Sequence, residues 1–81
     1  MTTMKKYMII ERYKPGCWDQ VYERYNTRGR MLPAGLNYLN SWTNKEKNIC
    51  YQLMETNNAQ LFTTWTDNWN DLVDFEIVGI D

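Results

Sequence analysis

Histidine is missing altogether from the 81 residues. Its absence removes the commonest general base, the usual ligand of zinc and haem, and both the Ser-His and Cys-His nucleophile arrangements. Any chemistry must run on carboxylates, Tyr, Arg, Cys or a group brought in from outside. The four glycines, Gly16, Gly29, Gly35 and Gly79, stand singly, so there is no glycine-rich phosphate loop. Two cysteines, Cys17 and Cys50, are too few for a disulfide scaffold, and their wide separation has no metal-ligand spacing. They are expected to be free thiols, and no cofactor or metal is expected. Charge of one sign is also lacking: nine basic residues face ten acidic ones, for a net charge of −1. A nucleic-acid partner is therefore not expected, because phosphate-backbone binding needs clustered positive charge. The apolar run near the start, Tyr7 to Ile10, is too short for a signal-peptide core or a membrane span. The expectation is a soluble, cytoplasmic protein with no membrane partner.

Aromatic residues are plentiful, with four Trp and six Tyr. The length allows a single domain, 1–81, and a domain of this size buries only about 60–65% of its unfolded surface. Bulky rings supply area per residue, but such a domain stays marginal unless something supplements its core.

KKYMIIER, Lys5 to Arg12, predicts a first strand stopped by the Pro15-Gly16 turn. Trp18, Val21, Tyr22 and Tyr25 recur at helical spacing, and Asp19 suits a first turn, so a helix is predicted from Trp18 to about Arg30, ending before Pro33. LNYLNSWT, Leu36 to Thr43, is a second strand, TNKEKN a polar hairpin loop, and NICYQLMET, Asn48 to Thr56, a third strand. Asn57 and Gln60 form a capping pair for a second helix whose apolar face is Leu61, Phe62, Trp65 and Trp69. DLVDFEIV, Asp71 to Val78, closes as a fourth strand. The order β-α-β-β-α-β with right-handed crossovers yields an antiparallel sheet ordered 4-1-3-2, both helices on one face: an α+β, ferredoxin-like sandwich. The two central strands are apolar on both sides, which implies two covers. The helices supply one. A second copy of the chain is the expected other, making a homodimer through the open sheet face.

The motifs ERYKPG, RGRMLPAGL, SW, CYQLMET and WNDLVDFEIV, in this order and spacing, resemble a family of small bacterial proteins known as a domain of unknown function. The resemblance runs from Met8 to about Val78. It implies membership of the dimeric α/β-barrel superfamily, and so the same fold and dimer, but no activity. Where relatives in that family often end the last strand with a proline and valine, this chain has Gly79-Ile80. The wider superfamily includes cofactor-independent antibiotic-biosynthesis monooxygenases, haem-degrading enzymes, chlorite dismutases and small lactone isomerases. Its haem branches rely on histidine, which this chain lacks.

Several side chains are candidates for a site. Asp74 and Glu76 share one face of the last strand. They are either a pair of acids lining a cavity, one able to act as a general base, or a solvated rim that discourages edge pairing. Glu76 is expected to be substantially buried and hydrogen-bonded, and Asp74 wetter. Arg28 and Arg30 flank Gly29; the plain role is to complement the helix dipole, and the functional one is an anion clamp by Arg30. Trp65 and Trp69 are core. Trp42 caps a pocket or packs at the dimer seam. Tyr38 and Tyr51 carry hydroxyls that need partners if buried, with Gln52, Asn40 and the acids available. Glu11 and Arg12 end the first strand at its rim. An RNA-recognition module shares this strand order, but NICYQLME has no glycine and no basic residue, which excludes it. The functional expectation is a small, partly aromatic ligand in the barrel or sheet-helix cleft, with a cofactor-independent, monooxygenase-like activity as one form of it. The alternative is a non-catalytic regulatory or structural module.

Overall fold

The computed structural model describes residues 3–80. Its elements are β1 (Lys5–Tyr13), α1 (Trp18–Arg28), β2 (Leu36–Asn44), a single 3₁₀ turn (Lys45–Lys47), β3 (Ile49–Thr56), α2 (Leu61–Thr66) and β4 (Val73–Gly79). The strands form one sheet in the order β2-β3-β1-β4, every neighbouring pair antiparallel. This is the β-α-β-β-α-β sandwich with the 4-1-3-2 order that the pattern predicts. None of its helices is long and apolar enough to cross a membrane.

The element ends have local causes. Gly16 takes a φ of 77° in the turn after β1, where the Cys17 N–H donates to the Lys14 carbonyl at 3.0 Å. Helix α1 stops at Arg28, two residues before the expected end. Gly29 adopts a φ of 67° there, and its N–H closes on the Tyr25 carbonyl at 2.7 Å. Helix α2 is short and ends at Thr66, so Trp69 lies past it, in a run of turns through Asp67, Asn68 and Asn70. Those residues satisfy backbone groups locally and favour turns over a continued helix. The expected Asn57–Gln60 cap is not the one used. Gln60 occupies the cap without a side-chain bond, and Asn58 Oδ1 accepts the Gln60 N–H at 3.1 Å instead. Between β2 and β3, Asn44 Oδ1 accepts the Lys47 N–H and Asn48 is left-handed, which closes the hairpin. Strand β2 carries a bulge between Tyr38 and Asn40, where Leu39 has no opposite number on β3.

Register decides which side chains meet. On the helix side, Ser41, Gln52, Ile9 and Ile77 form one cross-strand row, and Thr43, Cys50, Glu11 and Phe75 the next. Ile9, Met54, Val73 and Leu36 pack there against Val21, Phe62, Trp65, Trp69 and Leu72 in a single core. Of the β4 residues on this side, Val73 is buried and Phe75 packs against the core, but Ile77 is 41% exposed. On the other side run the rows Trp42–Tyr51–Ile10–Glu76 and Asn40–Leu53–Met8–Val78, with no helix among the described residues laid upon them. Arg24 fastens α1 to the turn before β4 by a two-pronged pair with Asp71 at 2.8 and 2.7 Å, and it also donates to the Asn68 carbonyl.

Ile9 and Met54 are wholly buried at the centre of the helix-side core. Ile9→Val is expected to lower unfolding free energy by about 0.5–1.5 kcal/mol, and Met54→Ala by about 2–5 kcal/mol. Urea denaturation measures both, and a Met54→Ala loss within error of zero would place the core elsewhere.

Candidate functional site

A cavity of about 230 Å³ opens between the sheet and α1. Strand β1 contributes Glu11 and Tyr13, β2 Ser41 and Thr43, and β3 Cys50 and Gln52. Tyr22 and Tyr25 come from α1, Arg30 from the loop behind it, and Trp65 and Trp69 close the far wall. The strands place their members by alternation: Tyr7, Ile9, Glu11 and Tyr13 share one face of β1, and Cys50 and Gln52 share the matching face of β3.

Glu11 is the unusual member. It is a carboxylate 6% exposed, in a central strand, hydrogen-bonded by the Gln52 amide nitrogen. Burial pushes its carboxyl up to about 7, against the opposing pull of the Gln52 bond and the nearby Arg30 charge. Two neighbours cannot act as bases. The Tyr13 hydroxyl is pushed far up by burial, with Cys50 and Glu11 adding to the effect. The Cys50 thiol is also raised, first by burial and then by Glu11, so it stays protonated and a poor nucleophile; its sulfur accepts from Thr43 Oγ1 at 3.6 Å.

Arg30 forms the roof. Its guanidinium carbon lies 3.7 Å from the Tyr38 ring centroid and 5.1 Å from that of Tyr25, and Nη1 donates to the Tyr25 hydroxyl at 3.2 Å. Its backbone is held from behind, because the Trp65 and Trp69 indole N–H groups both donate to its carbonyl. Two buried polar atoms have no partner among the described residues: Arg30 Nε and Gln52 Oε1.

The residues singled out in the sequence divide between the two faces of the sheet. Arg30 and Gln52 line the cavity. Glu76, Asp74, Trp42 and Tyr51 do not; register puts them on the uncovered face. In the single chain the Glu76 side chain is 52% exposed and accepts from Arg12 at 3.0 Å, so the expected burial is not present, although the hydrogen bond is. Asp74 is wetter, 73% exposed, with Lys14 at 3.9 Å. Trp42 is 51% exposed and Tyr51 half-buried opposite it. The Tyr38 hydroxyl finds Ser41 Oγ at 2.6 Å, not Gln52 or Asn40; Gln52 is engaged by Glu11, and Asn40 Oδ1 accepts the Ser41 N–H.

The sequence pattern ends β1 at Arg12 and so puts Glu11 at the rim. The strand runs on to Tyr13, and alternation puts Glu11 on the inward face of Ile9, opposite Cys50 and Phe75. The available signal was the alternation Tyr7-Ile9-Glu11-Tyr13, a carboxylate on the apolar face of a central strand.

The pH dependence has a definite sign. A folded-state carboxyl raised from 4.5 to about 7 holds its proton more tightly than the unfolded chain does. The stability this provides is complete below the unfolded value and is lost as pH rises through about 7. Asp71 is shifted the other way by its hydrogen bond to Arg24, so its contribution changes at more acid pH, outside this window. The urea midpoint should fall between pH 4.5 and 7.5, and Glu11→Gln should flatten that fall. An identical profile for the two proteins would mean that Glu11 is not desolvated.

No curated protein and no solved structure matches the chain significantly. Residues 5–80, which contain every strand, both helices and the whole lining of the cavity, match the model of a family described as a domain of unknown function, DUF3303, and the chain belongs to that family.

Proposed function

We propose that the chain binds a small, partly aromatic molecule in the cleft between the sheet and α1. One observation carries this reading: Arg30 Nε and Gln52 Oε1 are buried and unpartnered beside a cavity that also exposes the Glu11 carboxyl. Unmade hydrogen bonds of this kind cost about 1–3 kcal/mol each. A bound molecule with one acceptor and one donor offsets both, and the walls of Val21, Tyr25, Trp65 and Trp69 suit a ring. If the molecule is also acted upon, as in a cofactor-independent, monooxygenase-like reaction, Glu11 is the group placed to take a proton from it, since Tyr13 and Cys50 remain protonated. A regulatory or structural module without a pocket has no use for a buried carboxylate and two orphaned polar atoms.

A thermal-shift screen with phenols, quinones, aromatic acids and flavins tests this directly. Ligand at a hundred times its Kd stabilises by about 2.7 kcal/mol, enough to raise Tm by about 10–20 °C in a domain this small. Gln52→Leu should abolish the rise for whichever compound produces it. No shift with any compound at saturating concentration would overturn the reading.

A homodimer through the open face accompanies this proposal. Its support is the pair of rows containing Met8, Ile10, Trp42, Tyr51, Leu53 and Val78, a largely apolar surface that a second copy would cover. Sedimentation at micromolar concentration should then show a mass near twice 9.8 kDa. Ile10→Lys should yield a folded monomer and Ile9→Lys an unfolded chain. A folded wild-type monomer removes the dimer and leaves the cleft untouched.

A further inference from the structure

Charge in the cleft is unevenly provided for. Around Glu11 stand Tyr13 on its own strand, Cys50 and Gln52 on β3, Phe75 on β4, Tyr22 and Tyr25 on α1, and Arg30 behind α1. Arg30 is the one cation in that set, and among the described residues no carboxylate lies within ion-pair distance of it. Its Nε–H is buried and has no acceptor among the described residues, while the guanidinium lies over the Tyr38 ring and Nη1 is taken by the Tyr25 hydroxyl. A half-buried guanidinium whose Nε–H is buried without a partner calls for an anionic oxygen.

An anion entering this space meets a difficulty and its remedy together. With Glu11 ionised, two buried negative charges would share one cation, which is costly at low dielectric. Protonation of Glu11 removes that conflict and changes the hydrogen bonding around it. A carboxylic acid is a donor, and the nearest amide carries the orphaned acceptor, Gln52 Oε1. Turning the Gln52 amide lets Glu11 donate to Oε1 and releases Nε2, which then donates into the cavity alongside Arg30 Nε. Arg30 Nε and Gln52 Oε1, unmatched among the described residues, then both have partners.

We propose that the cleft is a proton-coupled site for a small aromatic monoanion, a carboxylate on a single ring, whose charge Arg30 meets while Glu11 takes up a proton. This rests on the small-molecule reading above and gives it a ligand class. Size agrees: a cavity of about 150 Å³ admits benzene, and the volume here is about 230 Å³. The titration of Glu11 near 7 places the coupling within the ordinary pH range.

Calorimetry on the intact protein tests the coupling, with benzoate as the charged probe and benzyl alcohol as the neutral one. At pH 8, titrations in buffers of different ionisation enthalpy should show uptake of about one proton per benzoate bound. The Kd for benzoate should be nearly constant below pH 6.5 and rise about tenfold per pH unit well above 7. Glu11→Gln should bind benzoate with no proton uptake and a flat pH profile, and Arg30→Met should lose benzoate while keeping benzyl alcohol. Should Glu11→Gln not fold, the buffer dependence of the wild-type protein decides the matter alone. Benzoate binding without proton uptake, or undiminished in Arg30→Met, overturns the proposal. Binding of benzyl alcohol but not benzoate overturns it too and leaves the small-molecule reading standing. Binding of neither probe overturns this proposal and leaves the small-molecule reading to the thermal-shift screen.

Discussion

One carbonyl oxygen, that of Arg30, accepts from two indoles, Trp65 at 3.0 Å and Trp69 at 3.2 Å. Much of the helix side depends on this convergence. Each tryptophan can bury its ring only if its N–H is satisfied, and a single acceptor serves both. The acceptor lies between Gly29 and Met31, with φ values of 67° and 57°, where the chain doubles back after α1. Met31 pays a steric cost in that left-handed conformation which glycine does not, so the surrounding contacts must hold it there. With the backbone held from one side, the Arg30 side chain is delivered to the other, onto the Tyr38 ring.

The buried face of the sheet is divided along its length. Toward the Thr56 end lie Tyr7, Met54 and Leu36, packed with Phe62 and Leu61; Ile9 and Gln52 share the row between; and toward the other end lie Glu11, Cys50 and Thr43. A domain of 81 residues has little apolar area to spare, and a uniformly apolar face would have been the more stable choice. The polar half is what makes the cleft chemically distinct, and it coincides with the cavity.

The fold was legible because its signals were strong and redundant. β1 and β3 are apolar on both sides, which marks central strands, and single Gly or Asn-rich punctuation separates every element. Boundaries were less so, since they turn on individual φ values and side-chain bonds: Gly29 cut α1 short, and the turns through Asp67 to Asn70 ended α2 before Trp69. In the site, Arg30 and Gln52 were visible as polar residues near element ends or on a central strand. Glu11 was not, because its place beside the expected strand end marked it as rim, although alternation with Ile9 puts it on the inward face. Asp74 and Glu76 drew notice by alternating with Val73, Phe75 and Ile77, but alternation identifies a face without saying which layer covers it.

The bulge at Leu39 has a consequence beyond local geometry. β2 is an outer strand, and its outward row of N–H and C=O groups is a template on which a foreign strand can add. A bulge leaves one residue outside the ladder and sharpens the twist around it, so the template is broken three residues after the strand begins. The ladder on either side is thereby interrupted, which disfavours a flat incoming strand. The irregularity therefore works against fibril-like growth from this edge, protecting a chain whose half-exposed aromatic and aliphatic side chains would otherwise reward it.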